Sequence, residues 1–211
     1  MRRPPARRGA KGGVLMHGDL YLVRHGKTMF NEKRVIQGWC DAPLTREGEE
    51  QAERIGRYFE REGITFDHAY TSTLTRTQQT IERIVGMSYE RVEDLREWGF
   101  GAFEGERVSL MPPFPWGDFY VPFGGEAQMD VRRRVSDALA QIMARPGHER
   151  VLAVSHGSAC REFLTRWVPD GGFDHGKVPG NCSIMHFAFS EGMFELIEVI
   201  EQDRLRVLLG E

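Results

Sequence analysis

The sequence predicts an α/β protein: a mostly parallel sheet with helices on both faces and an antiparallel edge. Three observations predict it. Along most of the 211 residues, apolar strand-like runs alternate with segments of helical period, the pattern of βαβ units. Two of those runs, 20–23 and 151–154, end in the same device, a histidine followed by a glycine, and the carboxyl ends of strands are where open α/β sheets keep their sites. Close to the C-terminus, two further apolar runs flank Ser190-Glu191-Gly192, a turn signature that folds the edge back as a hairpin.

The elements follow in order. Leu20-Tyr21-Leu22-Val23 is an apolar run of buried-strand type that delivers Arg24, His25 and Gly26 to its carboxyl end. A polar loop is expected over 28–42. Thr45 is an N-cap candidate for a helix reaching about Glu62, with Gly48, Ala52, Ile55 and Phe59 on one face and Gly63 as its stop. A short strand over 66–71 precedes a helix over 73–85 closed by Gly86, and 89–92 reads as a third strand. From Glu93 to Gly125 the pattern breaks into aromatics (Trp98, Phe100, Phe103, Phe114, Trp116, Phe119, Tyr120, Phe123) among four prolines. That composition suits a long loop acting as a lid, a satellite core, or both. Residues 127–145 form the clearest helix, with Val131, Val135, Ala138, Leu139 and Ile142 on one face and Pro146-Gly147 behind it. The second His-Gly strand, a helix over 158–167, a glycine-rich loop, and apolar runs over 182–189 and 194–200 complete the chain.

Composition narrows the function classes. Hydrophobic residues at 40% and charged residues at 28% are ordinary values for a folded domain, and the length suits one domain, expected over 17–211. Residues 1–16 read as a disordered basic tail: Arg2, Arg3, Arg7, Arg8 and Lys11 stand there without an acid. A start of translation at Met16 is the simpler account of it. Because the net charge is −3 with that tail included, the body is acidic and offers no broad face for nucleic acid. The apolar runs are too short for a membrane span. Cys40, Cys160 and Cys182 lack metal or redox spacing, which fits core thiols in a reducing cytoplasm. Nor do His17, His68, His148, His175 and His186 show ligand spacing, so no metal site is expected.

Chemistry concentrates at predicted strand ends and loop starts, in Arg24, His25, Asn31, Arg76, Glu97 and His156. Two guanidiniums are planar forks suited to phosphate oxygens, and the imidazoles and Asn31 add donors. A neutral imidazole is a competent nucleophile toward phosphorus, and a phosphohistidine divides the displacement into two steps. The arginines neutralise charge in place of a metal. A carboxyl is then wanted to protonate the leaving oxygen; Glu97, set among Trp98, Phe100 and Phe103, is the candidate, with Glu93, Asp94, Glu104 and Glu106 as nearby competitors. Asp41 is expected to cap or orient its loop. Two other readings compete. Ser155-His156-Gly157-Ser158 prompts a serine hydrolase, which would lack the G-x-S-x-G elbow, and an inactive phosphate-binding scaffold would retain the pocket without the chemistry.

Arg24-His25-Gly26-x-Thr28-x-x-Asn31 followed by Gln37-Gly38-Trp39-x-Asp41-x-Pro43-Leu44-Thr45 resembles the histidine phosphatase superfamily, which includes the cofactor-dependent phosphoglycerate mutases. Also similar, and in the family's order, are Thr71-Ser72-x-Leu74-x-Arg76-x-x-Gln79-Thr80, Leu95-Arg96-Glu97 with Gly101-x-Phe103-Glu104-Gly105, Gly124-Gly125-Glu126, and Ser155-His156-Gly157. The resemblance implies a three-layer α/β/α sandwich; no cofactor is expected, since the arginines neutralise the charge. It implies that His25 is the phosphorylated nucleophile, that Arg24, Arg76 and His156 clasp the phosphoryl group, and that Asn31 adds a donor. Glu97 would be the proton donor and later the base for water, and Gln37 and Gly38 would touch the far end of a small phosphomonoester. The sequence departs from the mutases beyond the acid: Phe100 stands at a tyrosine position, Val108 falls near a lysine position, and no arginine lies between Arg107 and Arg132. An apolar cover of that kind favours a phosphatase over a mutase.

Overall fold

The computed structural model describes residues 17–169 and 172–211. The basic tail expected over 1–16, and Gly171 of the glycine-rich loop, lie outside the described residues. Strands β1 (His17–Arg24), β2 (His68–Thr71), β3 (Glu90–Arg91), β4 (Arg150–Ser155), β5 (Ile184–Ser190) and β6 (Met193–Ile200) form one sheet in the order β3-β2-β4-β1-β5-β6. The first four run parallel, while β5 is antiparallel to β1 and β6 to β5.

Alternation along β1 assigns its side chains to two cores. Leu20 and Leu22 join Val151 and Ala153 of β4 on one face, and Tyr21 and Val23 join Leu152 and Val154 on the other. Helices α4 (Gln128–Met143) and α5 (Gly157–Trp167) cover the first face through Val131, Val135, Leu139 and Phe163. Helices α2 (Arg46–Arg61), α3 (Thr75–Ile84) and α6 (Gln202–Leu209) cover the second through Ile55, Phe59, Ile81 and Leu205. The result is a three-layer α/β/α arrangement with an antiparallel edge. Thr45 caps α2 as its sequence predicts, its Oγ1 accepting the Gly48 N–H at 3.1 Å. Among the described residues no helix is long and apolar enough to cross a membrane.

Three elements differ from expectation. Inside the expected loop over 28–42 lies a one-turn helix, α1 (Met29–Lys33), held by a capping box in which Thr28 and Asn31 exchange side-chain and backbone hydrogen bonds. At the C-terminus α6 follows β6 directly; Glu211 behind it is tied to α2 by Arg54 (2.7 Å) and Arg57 (2.5 Å). The third strand shrinks to two exposed residues. Over 93–125 there are only short 3₁₀ turns, and the stretch is both satellite core and cover. Trp98 and Tyr120 are fully buried and Phe100 nearly so, while Phe114 and Trp116 face a cleft.

Candidate active site

The register of β1 against β4 pairs Arg24 with Ser155, so the next residue of each strand, His25 and His156, leaves the sheet beside the other. Their rings lie 5.2 Å apart, edge to face. The His25 N–H donates to the Ser155 carbonyl at 3.0 Å, which locks the two strand ends together.

His25 is buried, and its Nδ1 lies 2.8 Å from the Gly26 carbonyl. A carbonyl only accepts, so Nδ1 carries the proton and Nε2 keeps the lone pair. Burial first, and then the charges of Arg76 and Arg24, hold His25 well below the usual histidine range. The imidazole is therefore neutral with its nucleophilic nitrogen fixed. Gly26 is glycine because the first turn of α2 passes close: a Cβ there would stand 2.5 Å from the Gly48 carbonyl oxygen.

His156 is fully buried and both of its ring nitrogens are engaged. Arg76 Nε, which only donates, sits 3.1 Å from Nδ1, so that nitrogen holds the lone pair and Nε2 donates to Ser72 Oγ at 2.7 Å. Arg76, also fully buried, is fixed from three more directions. Its Nη1 donates to Asp41 Oδ1 (2.9 Å) and the Cys40 carbonyl (3.0 Å), and its Nη2 to the Gly38 carbonyl (2.7 Å). Asp41 thus orients Arg76 and, through Oδ2, accepts the Thr75 N–H at the start of α3. The Ser72–His156 pair has a cation on Nδ1 where a serine hydrolase carries a carboxylate. Ser155 Oγ donates instead to the Leu95 carbonyl.

Arg24, His25, Asn31, Gln37 and Glu97 line one cleft of about 390 Å³, a size suited to a small ligand. Arg24 Nη1 donates to the Pro179 carbonyl at 2.5 Å, but its Nε is buried without a partner. Room for this guanidinium comes from Gly157, where a Cβ would stand 3.2 Å from the Arg24 Cζ and 2.6 Å from Val178. Asn31 Oδ1 accepts from the Thr28 N–H and from Asn181 Nδ2, which leaves its own amide donors for the cleft. Gln37 Oε1 accepts from Thr28 Oγ1 at 2.7 Å, and its Nε2 is buried without an acceptor. Gly38, unlike Gln37, does not line the cleft: its N–H goes to Glu104 and its carbonyl accepts from Arg76.

Three of the five clustered acids take clearly different places. Glu97 is buried on the cleft, its Oε1 accepting the Trp98 and Ala159 N–H groups and its Oε2 the Ser158 N–H, each at 2.9 Å. Through the last two of these it meets backbone N–H groups in the first turn of α5 from outside that helix. Glu104 accepts four N–H groups, from Gly38, Trp39, Cys40 and Phe100, and so shapes the loop whose carbonyls hold Arg76. Glu93 pairs with Arg96 at the surface. Sequence reasoning named Glu104 only as a competitor for the acid and gave no role to Asn181 or Arg161. Arg161 lines the cleft one helical turn beyond Gly157, and that i, i+4 spacing is its one sequence signal.

With a neutral imidazole, two guanidiniums and a carboxyl on one small cleft, the geometry can be compared with known proteins. The model of the histidine phosphatase superfamily (branch 1) matches residues 20–202. A probable phosphoglycerate mutase GpmB of Salmonella paratyphi B is 37% identical, the match covering 83% of this chain and 87% of the relative. Among solved structures, YhfR of Bacillus stearothermophilus superposes with a TM-score of 0.73 at 32% identity, over 85% of this chain and 95% of that one. A phosphoserine phosphatase from Entamoeba histolytica, solved in complex with 3-phosphoglyceric acid, gives 0.74 at 25% identity, over 89% and 99%. The chain belongs to branch 1 of the histidine phosphatase superfamily.

Proposed function

We propose that this protein is a metal-independent phosphomonoester hydrolase that works through a phosphohistidine on His25. The observation that carries this reading is a set of buried donors without acceptors, Arg24 Nε and Gln37 Nε2, around a neutral imidazole whose proton is held on the far nitrogen. Donors of that kind want an anion, and Nε2 of His25 is the lone pair that faces it.

The chemistry follows from the residues. Arg24, the Asn31 amide and the remaining N–H of Arg76 hold the phosphoryl oxygens, while His156 keeps Arg76 in place. Nε2 of His25 bonds to phosphorus as the ester P–O bond breaks, and the cation formed on the ring is stabilised by the Gly26 carbonyl at Nδ1–H. Glu97 gives the leaving oxygen its proton; Oε2, with one N–H partner against two for Oε1, has room to carry it. Water then attacks phosphorus and gives a proton to Glu97 as the P–N bond breaks, releasing inorganic phosphate and restoring His25. The reading places the enzyme in the cytoplasm, where its three unpaired thiols stay reduced.

Phosphoglycerate mutase activity is the second reading, favoured by the name of the 37% identical relative. Phe100 and Val108 both line the cleft, and these apolar walls support hydrolysis instead. A panel of phosphomonoesters run beside a phosphoglycerate mutase assay decides. Release of inorganic phosphate is expected, and interconversion of phosphoglycerates without release would overturn the proposal.

A further inference from the structure

Arg161 on α5 is 2% exposed, yet its Nε and Nη2 have no hydrogen-bond partner. These two atoms form one edge of the guanidinium, the edge that meets a carboxylate or phosphate with two parallel N–H groups. Its neighbour shows what that edge normally does: Arg132 places Nε (3.0 Å) and Nη2 (2.8 Å) on Glu162 Oε2. Glu162 is fully buried and already neutralised by Arg132, with Gln128 on its other oxygen at 3.0 Å. From Arg161 Nε it lies 3.6 Å away, an ion-pair contact but beyond a hydrogen bond. The guanidinium of Arg161 is held instead by aromatic faces, 3.8 Å above the Phe114 ring and 4.6 Å from that of Trp116. Those faces orient the cation but satisfy none of its N–H groups.

A structural role alone does not account for this. Arg76 is equally buried and all its nitrogens have partners; Arg134 is engaged by Glu126 and by three backbone carbonyls. Burying a guanidinium with three of its five N–H groups unpaired is costly unless something completes it. Arg161 lies on the cleft that holds His25 and Arg24.

Taking the hydrolase reading as its base, we infer that Arg161 reads a second anionic group on the substrate, so that the preferred substrates are small phosphomonoesters that also carry a carboxylate or a second phosphate. The missing arginines of the 107–132 stretch are thus replaced by a cation from a different element, on the wall of the same cleft beside Phe114 and Trp116.

The test uses matched pairs. 3-Phosphoglycerate against glycerol 3-phosphate exchanges a carboxylate for a hydroxymethyl group, and 1,3-propanediol bisphosphate against 3-hydroxypropyl phosphate tests a second phosphate. The wild-type enzyme is expected to prefer the doubly anionic member of at least one pair by about tenfold or more in kcat/KM, and the pair that responds identifies the group. Arg161→Met should bring that ratio toward one, chiefly through KM, and Arg161→Lys, which keeps the charge without the fork, should fall between. The lysine variant carries the test if the methionine variant does not fold. Calorimetric affinities for the same pairs on His25→Asn, which cannot turn over, report the ratio even if the hydrolase reading fails. A ratio near one for both pairs in the wild type, or a preference that survives Arg161→Met, overturns the inference.

Discussion

His25 and His156 stand at the ends of adjacent parallel strands, each followed by glycine, and the two regions are chemically opposite. A carbonyl beside Nδ1 of His25 fixes the proton there and leaves Nε2 as a lone pair. A guanidinium beside Nδ1 of His156 fixes the lone pair there and turns the Nε2 proton toward Ser72. The glycines differ in purpose as well: Gly26 admits the first turn of α2, and Gly157 admits the guanidinium of Arg24. The same His-Gly pair therefore leaves a lone pair on Nε2 in one place and on Nδ1 in the other, and what decides is the neighbour of one ring nitrogen.

The comparison breaks first at the nucleophile. His25→Ala should lower turnover of an aryl phosphate by about 10⁴-fold or more, because no other group replaces the attacking nitrogen. His156→Ala, which loosens Arg76 but leaves Nε2 of His25 in place, should cost nearer 10²-fold. Equal losses in steady-state assays would mean that the two imidazoles share one role. Next in size is Glu97→Gln, expected to slow alkyl phosphates by about 10² to 10⁴ while aryl phosphates, whose leaving groups need less protonation, lose much less. A uniform loss across a leaving-group series would assign the proton to another group.

Gly157→Ala sharpens the asymmetry between the glycines. Its methyl group would press on Arg24 and Val178, so a rise of about tenfold in KM is expected, with a smaller change in kcat. A change confined to kcat would show that Arg24 is not the displaced group.

The smallest effect is on stability. His25 and His156 are both held well below the free imidazole value of 6.5, by burial first and then by nearby arginines. Below about 6.5 the unfolded chain takes up protons that the folded chain does not. Stability should be full above that pH and fall as the pH drops below it, so that thermal melting at pH 5 lies lower than at pH 7.5. His25→Asn should make the fall shallower, and an unchanged slope would mean that His25 is charged in the folded protein.

Much of this was legible in the residues. The apolar runs of β1 and β4 and the abrupt change to Arg-His-Gly and His-Gly sufficed to place an imidazole at the end of each of two strands; that the strands are neighbours is set by the sheet register. The apolar period over 46–61 and 128–143 sufficed for α2 and α4. What was not legible has physical reasons. α1 is five residues with no apolar face and an asparagine, not an acid, closing its capping box. α6 buries a single side chain, Leu205, among the residues of its own helix. Residues 157–164 of α5 are all buried, so no polar stripe told which way Arg161 points. Glu97 was one acid among five, and it is set apart by a contact with the N-terminus of α5, which lies sixty residues farther along.

Rapid quenching of the enzyme with a radiolabelled phosphomonoester, followed by peptide mapping, tests most directly whether His25 forms the covalent intermediate. Acid-labile label should appear within the first turnover on the peptide that contains His25 and be absent from His25→Ala. Label on the His156 peptide, or full turnover with no labelled peptide, would contradict the assignment of opposite roles to the two strand ends.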